Sequence, residues 1–317
     1  MRILSTGEIL WDIVEGGEFL GGAPLNFSVT SQKLGGLVSL LTGVGDDELG
    51  RKALQQMNSL GLKTDFVQIV RDAPTGTALV TLDDSGSATF RIGRPAAFDV
   101  LNVNSGLIER CQTALPDWIY FGTLANSHAS NEELLHRLVE QLQPVRCFYD
   151  MNLRDGHWSL PLIERLSALA TVIKLNDEEA KRIFDMKFGS LPYSLERFCQ
   201  RWSEAFGAQQ ICVTMGSAGC ALYSDNVFQT FGGYSVDVVD TVGAGDAFAA
   251  GLLYGLDRGW LPQRIASFAN ALGAMIASRR GATPAWTVEE CYAMIDGHQK
   301  QSGKTAQAKQ MASDQQP

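Results

Sequence analysis

Features that would tie this chain to a membrane or to nucleic acid are scarce in its sequence. No run of about 18 apolar residues is present to span a bilayer, and the opening MRILSTGEIL is interrupted by Glu8 too early for a signal peptide. The 26 Lys and Arg residues are outnumbered by 35 Asp and Glu, and they form no cluster longer than a pair. We therefore expect a cytoplasmic protein that binds neither membranes nor nucleic acid.

Cysteine is present six times, but without the spacing of a metal site. No Cys-x-x-Cys pair occurs, and no cysteine stands at a distance from histidine that suits zinc. We expect reduced thiols that lie mostly in the core, which agrees with a cytoplasmic location.

Short apolar segments alternate with longer amphipathic ones through most of the 317 residues. This alternation is typical of a parallel sheet with helical crossovers on both faces, so we expect a doubly wound, mostly parallel α/β fold. Ligands bind such sheets at the carboxyl ends of the strands. The predicted strands are RILST, VSLLTGV, DWIYFG, RCFYDM, TVIKLN and ICVTMG.

Two segments interrupt the alternation. Residues 9–20 and 66–94 consist of short alternating strands with turn residues between them, which predicts an antiparallel β element appended to the α/β body. Residues 298–317 are polar and nearly free of large apolar side chains, and we expect them to be disordered. The α/β body then comprises residues 1–8, 21–65 and 95–297.

The segment DTVGAGDAFAAG, residues 240–251, places Asp246 behind a glycine-rich turn at the start of a predicted helix. An acid in the first turn of a helix is favoured by the helix dipole, and this alone could explain Asp246. Alternatively, the amides of Gly243, Ala244 and Gly245 bind an anion, and Asp246 lies beside them as a base. The segment by itself leaves both explanations open.

The segment GGAPLNFSVTSQKLGG, residues 21–36, predicts a helix that begins near Pro24. A helix start accounts for Gly21 and Gly22 but not for Asn26, a middling helix former in the first turn. A small polar molecule that approaches the glycines and bonds to the Asn26 amide would account for all three. The residues support the two interpretations equally.

The two segments resemble, residue for residue, the signature motifs of the ribokinase-like sugar kinases, the PfkB family. Their order and their separation of more than 200 residues also agree. Further landmarks of the family are matched by VGDDELG (44–50), NDEEA (176–180) and VTMGSAG (213–219), so the similarity extends over roughly residues 1–295. The resemblance implies a ribokinase-like α/β fold with a small β-sheet lid over the sugar, and a reaction that moves the γ-phosphate of ATP to a sugar hydroxyl with Mg²⁺. The chain contains neither G-x-x-x-x-G-K-[ST] nor G-x-G-x-x-G, so the Gly-Ala-Gly turn would have to hold the phosphate.

The resemblance also assigns roles to individual residues. At the transferring phosphate it places the base Asp246 with Gly243, Ala244 and Gly245. At the sugar it implies Asp12, Gly21, Gly22, Asn26, Arg91 and Arg154. At the nucleotide it implies Asn176, Thr214, Gly216, Gly219 and Asn270. Glu179 is implied near Mg²⁺, through water, and Asp240 at a potassium site completed by Val242, Ile276, Arg279 and Gly281, with Ala285 where a side-chain oxygen is sometimes present.

Several of these residues have a simpler explanation. Asn176 and Glu179 also fit a helix capping box, which is compatible with a place near a hydrated ion. Asp12 could be an exposed strand acid, and one of the pair Arg91 and Arg94 is better explained as a solvated surface side chain.

The substrate implied is fructose, because GEILWDIVEG, GGAPLNFSV and DMNLRDGHW are most similar to the fructokinase branch, although Met151 stands where proline is usual. The alternative within the same chemistry is 2-keto-3-deoxygluconate. A non-catalytic sugar- or nucleotide-binding regulator is a further alternative, but a binder needs no Asp246. We also expect a homodimer that pairs through the β lid, since exposed strand edges favour pairing.

Overall fold

The computed structural model describes residues 1–15, 17–82, 88–102 and 104–298. In these residues the strands are β1 (Arg2–Thr6), β2 (Leu10–Val14), β3 (Gly17–Gly21), β4 (Leu37–Gly45), β5 (Val67–Val70), β6 (Gly76–Leu82), β7 (Ala88–Ile92), β8 (Trp118–Gly122), β9 (Arg146–Asp150), β10 (Val172–Asn176), β11 (Gln210–Thr214), β12 (Cys220–Ser224) and β13 (Val227–Phe231).

The helices are α1 (Ala23–Lys33), α2 (Glu48–Ser59), α3 (Ser105–Ala114), α4 (Thr123–Asn126), α5 (Ala129–Gln141), α6 (Leu160–Leu169), α7 (Asp177–Phe188), α8 (Leu195–Phe206), α9 (Ala244–Asp257) and α10 (Pro262–Ala277). Across the described ranges, none of the helices combines the length and the apolar character needed to cross a bilayer. The six cysteines are buried free thiols, as the sequence predicts.

The large sheet has the strand order β13-β12-β11-β10-β9-β8-β1-β4-β5 within the described residues. All six predicted strands lie in it and pair in parallel, which confirms the predicted fold class. From β1 the chain proceeds to β4 and β5 on one side, and from β8 to β13 on the other. The strand order therefore reverses beside β1, where open α/β sheets form a ligand crevice at the carboxyl ends of their strands.

Strand β8 shows why these segments are apolar throughout. All five of its residues are buried. Ile119 and Phe121 pack on one face against the side that carries α3 and α5 to α8. Trp118 and Tyr120 pack on the other face, against α9 and α10. Because both faces are covered by helices, both sets of alternating side chains are hydrophobic.

The small sheet has the strand order β3-β2-β6-β7 in the described residues. Its two hairpins, β2–β3 and β6–β7, are antiparallel as predicted, but β2 and β6 join them by parallel pairing. The predicted boundary at residue 66 differs from the structure, since β5 pairs in parallel with β4 in the large sheet. Strand β5 is an edge strand of only four residues, none of them fully buried, so its sequence VQIV lacks the long apolar run of the inner strands.

The VGDDELG segment fixes the path of the chain into the small sheet. Asp47 caps α2 through the Gly50 amide at 2.7 Å, and its other oxygen accepts from the Thr75 amide at 2.8 Å. Thr75 directly precedes β6, so this carboxylate ties β6 to the body.

The chain end is only partly described. Residues 288–298 are helical, so His298, predicted to begin the disordered segment, is still in a helix. The rest of that segment lies outside the described residues.

Candidate active site

A cavity of about 320 Å³ lies at the carboxyl ends of β10 and β11, between the large sheet and the small one. The small sheet contributes Asp12, Ala78 and Ile92, which are in register on adjacent strands and all line the cavity. The large sheet and the loops after its strands contribute Asn152, Arg154 and most of the remaining lining. Both sheets therefore form one site.

Asp246 lies in the first turn of α9 and is 9% exposed. The Asn26 Nδ2 atom, in the first turn of α1, donates a hydrogen bond of 2.8 Å to Asp246 Oδ2. This bond joins the two sequence motifs across 220 residues of chain. It also gives Asn26 a definite partner, which a plain helix start does not.

Burial raises the pKa of Asp246 to about 6, and the negative charge of Asp150 adds to this effect. The hydrogen bond from Asn26 and the charges of Lys174 and Arg154 favour the ionised form, but they do not compensate fully. A carboxylate of this pKa is ionised at neutral pH yet basic enough to accept a proton.

Lys174 lies beneath this turn and is paired with Asp150. Its Nζ atom is 3.0 and 3.2 Å from the two Asp150 carboxylate oxygens, and the Tyr120 hydroxyl donates to the same carboxylate at 3.1 Å. Burial lowers the pKa of Lys174, but the charges of Asp150 and Asp246 outweigh it, so the pKa is raised overall. The ammonium group is therefore a fixed positive charge beside the cavity.

The glycines of the two motifs allow close approach of backbone. Gly243 has φ +79°, and a Cβ there would lie 2.5 Å from the Ala282 carbonyl oxygen. Gly22 has φ +111°, and a Cβ would lie 2.5 Å from the Glu8 carbonyl oxygen. Both positions combine a left-handed backbone with no room for a side chain, so only glycine fits.

Most of the residues predicted at the sugar line this cavity, namely Asp12, Gly22, Asn26 and Arg154. Gly21 lies behind Asp12, since a Cβ there would lie 2.7 Å from Asp12 Oδ2. Arg91 does not line the cavity: it is exposed, and strand alternation turns it away from the face that Ile92 presents to the site. In this arrangement of the small sheet Arg91 therefore lies outside the sugar cavity, unlike Asp12 and Arg154.

Arg94 is also placed away from the sugar. Its guanidinium is paired with Asp99 and donates to the Leu124 carbonyl at 3.1 Å. It lines a different cavity, together with Trp158.

A second cavity, of about 330 Å³, adjoins the first and shares Thr214, Thr241 and Gly245 with it. Four of the five residues predicted at the nucleotide line it: Thr214, Gly216, Gly219 and Asn270. Ala244 of the glycine-rich turn lines it too, whereas Asn176 lines the first cavity. The start of α9 therefore lies at the junction of the two cavities.

Glu179 and Asn176 form the predicted capping box at the start of α7. The Asn176 side chain accepts from the Glu179 amide at 2.7 Å, and Glu179 accepts from the Asn176 amide at 2.9 Å. Glu179 also accepts from the Leu153 amide at 2.6 Å, and burial raises its pKa. Glu179 still lines the first cavity, so the cap leaves the carboxylate at the site.

Asp240 connects two loops rather than lining either cavity. Its two oxygens accept from the Val242 amide at 3.0 Å and from the Gly281 amide at 2.9 Å. Three members of the predicted potassium site are therefore adjacent. Among the described residues no cluster of three or more His, Cys, Asp or Glu suits a metal ion.

Five polar residues of the site were not singled out from the sequence: Glu8, Asn152, Lys174 and Thr241, which line the cavity, and Asp150 behind Lys174. A detectable signal existed for two of them, because Lys174 and Asp150 are charged residues inside otherwise apolar strands. Such charges are rarely buried unless they are paired.

The chain is similar to known carbohydrate kinases in sequence and in fold. Residues 6–288 match the model of the pfkB family carbohydrate kinases. The fructokinase of Salmonella typhimurium is 29% identical over 279 residues, which cover 84% of this chain and 88% of that protein. The structure of Xylella fastidiosa fructokinase with bound ATP has a TM-score of 0.82 at 24% identity and covers 94% of this chain and 99% of the other. That of Vibrio cholerae O395 fructokinase with fructose, ADP and calcium has a TM-score of 0.77 at 25% identity and covers 93% and 98%.

Proposed function

The chain belongs to the pfkB family of carbohydrate kinases, and we propose that it transfers the γ-phosphate of ATP to a hydroxyl of D-fructose. The observation that carries the proposal is Asp246, a buried carboxylate held by Asn26 where the two cavities meet. A base in this position can reach a hydroxyl in the first cavity while the nucleotide occupies the second. The Salmonella and Vibrio fructokinases support the choice of sugar.

Phosphoryl transfer requires in-line placement, neutralised charge and an acceptor for the hydroxyl proton. Asp246 takes the proton from the sugar hydroxyl as the oxygen attacks the phosphorus, and the bond to the leaving ADP oxygen breaks. Amides at the start of α9 stabilise the negative charge on the transferring phosphoryl group. The positive charge of Lys174 lies close by, since a Cβ on Gly245 would be 3.4 Å from its Nζ atom.

We propose Mg²⁺ as the metal that accompanies ATP, where it neutralises phosphate charge. Glu179 fits a hydrated ion rather than a directly bound one, because both its oxygens already accept from backbone amides. Glu179→Gln should therefore raise the Mg²⁺ concentration needed for half-maximal turnover, measured by titration at saturating ATP. If the titration is unchanged while thermal stability falls, Glu179 only caps α7.

The cavity favours a neutral sugar over an acidic one. Four carboxyl groups line it, those of Glu8, Asp12, Glu179 and Asp246, with Arg154 and the paired Lys174 as its cations. Burial raises the pKa of Asp12 to about 6, although the charge of Arg154 opposes this, so the site resists gaining another negative charge. We propose that 2-keto-3-deoxygluconate, whose carboxylate needs a free cation, is the poorer substrate.

A panel of sugars assayed for ATP consumption tests this choice. Each buried group left without a partner costs about 1 to 3 kcal/mol, or roughly ten-fold to a hundred-fold in rate. We expect kcat/KM for D-fructose to exceed those for 2-keto-3-deoxygluconate and D-ribose at least about ten-fold. The reverse order would overturn fructose and leave the kinase chemistry intact, whereas no turnover of any sugar would favour a regulator.

We propose that potassium binds beside Asp240. The carboxylate joins the loop before α9 to the Gly281 loop, so an ion there would order the phosphate-binding turn. Rates in potassium chloride should exceed those in tetramethylammonium chloride at equal ionic strength. Equal rates in the two salts would show that potassium does not activate the protein.

The small sheet is proposed to close over the sugar as a lid and to pair with a second copy. Phe19, in register with Asp12, is 58% exposed, and Leu79 is 49% exposed, so apolar side chains remain uncovered. Light scattering should report a dimer. A monomer would contradict the pairing of two copies but not the closure of the lid over the sugar. We also propose a cytoplasmic location, where ATP is available.

A further inference from the structure

Glu8 is a carboxyl group in the sugar cavity that has no role in the mechanism above. It follows β1 directly after Gly7, lines the cavity and is 5% exposed. In the part of the chain that the structure describes, its Oε2 atom has no hydrogen-bond partner. Buried polar atoms are seldom left unpaired, so this oxygen calls for a partner from outside the chain.

The surroundings of Glu8 disfavour a second negative charge. Burial raises the pKa of Glu8 to about 7, and the charge of Asp246 adds to this. Backbone amides, of Glu8 itself and of Ala23 at the start of α1, and the charge of Arg154 act the other way without compensating. When two carboxyl groups interact in this way, the group with the lower pKa ionises first and the other keeps its proton. Below a pH of about 7 Glu8 therefore keeps its proton, whereas Asp246, with a pKa of about 6, already acts as the ionised base near that pH.

The groups that titrate or carry charge around the same cavity come from five elements. They are Asp12 of β2, Arg154 of the loop after β9, Lys174 of β10, Glu179 of α7 and Asp246 of α9.

We propose that Glu8 is a sugar-binding residue that acts as a neutral carboxylic acid, whose Oε2 hydrogen is donated to an oxygen of the bound sugar near the hydroxyl that Asp246 deprotonates. The inference rests on the sugar kinase activity proposed above. It makes Glu8 a specificity residue, because a sugar without an oxygen at that position leaves a buried donor unpaired. The Glu8 side chain would thus select a sugar that carries an oxygen at that position.

Two substitutions separate this role from a structural one. Glu8→Ala removes the donor and should raise the fructose KM about ten-fold or more, with kcat changed far less, because the base is untouched. Glu8→Gln keeps a donor and an acceptor in similar positions, so KM should rise much less than with alanine. Glu133→Ala, at an exposed position on α5, is the control for loss of a carboxylate elsewhere.

The pH dependence of KM gives a second readout. The fructose KM of the unmodified protein should rise between pH 6.5 and 8.5, as Glu8 loses the donated proton through its pKa of about 7. The KM of Glu8→Gln should stay flat over the same range, because an amide does not ionise there. This comparison also decides the matter if Glu8→Ala fails to fold.

The failure of this inference differs from the failure of the proposed function. If fructose is phosphorylated but Glu8→Ala keeps the normal KM, or Glu8→Gln keeps the pH dependence of the unmodified protein, Glu8 does not donate to the sugar. If fructose is not phosphorylated, the proposed substrate is wrong, and the same comparison is made with the sugar that the panel identifies.

Discussion

Asp246→Asn should lower kcat by on the order of 10³ or more, because the substitution removes the proton acceptor and little else. The new side chain has nearly the same shape, and its oxygen can still accept the hydrogen bond from Asn26. Steady-state kinetics at pH 7.5 with saturating ATP and fructose would measure the loss. The midpoint of thermal unfolding should not fall, since a buried charge is replaced by a neutral group.

The same residue fixes the acidic limb of the pH profile. The base works in its ionised form, and its pKa is about 6, so kcat/KM should fall as the pH drops below that value. Asp225→Asn, on the exposed turn between β12 and β13, should leave the kinetics unchanged and serves as the matched control. An Asp246→Asn protein that keeps a tenth of the normal rate would show that Asp246 is not the base.

Lys174→Met should destabilise the fold by about 3 to 5 kcal/mol, because it leaves the Asp150 carboxylate charged, buried and without its cation. Asp150 is 1% exposed and would keep only the Tyr120 hydroxyl among the partners described above. Equilibrium unfolding in urea would measure the difference.

Two further variants identify the cause. The double variant Lys174→Met with Asp150→Asn should recover much of the stability, since no uncompensated charge then remains. Lys181→Met breaks an exposed pair with Asp185 one helical turn away and should cost about 0.5 kcal/mol or less. If Lys174→Met lowers the free energy of unfolding no more than Lys181→Met does, the buried pair of Lys174 and Asp150 does not stabilise the fold.

The large sheet could be predicted from the sequence because both faces of its strands are buried. Strands such as β8 are then continuous apolar runs that differ clearly from the helices between them. The prediction of β5 was less successful, because this short, partly buried edge strand lacks the apolar run that distinguishes the inner strands from those of the small sheet.

The site residues also differ in how far the sequence alone could place them. Asp246 and Asn26 stand in long motifs with little freedom of conformation, and the structure brings them into contact. The assignment of Arg91 to the sugar depended on which face of β7 points to the cavity. That face is set by the strand pairing of the small sheet, which cannot be read from the sequence. Lys174 and Asp150 are isolated charged residues in two different strands, and their ion pair becomes evident only when β9 and β10 are placed side by side.

The central claim is that the proton acceptor in this site serves a sugar hydroxyl and not water. Phosphorus NMR of the protein with ATP, Mg²⁺ and D-fructose tests it directly, because it resolves ADP, sugar phosphate and free phosphate in one sample. We predict one equivalent of sugar phosphate for each ADP formed, and negligible ATP loss without the sugar. Release of free phosphate at the same rate with and without fructose would contradict the account.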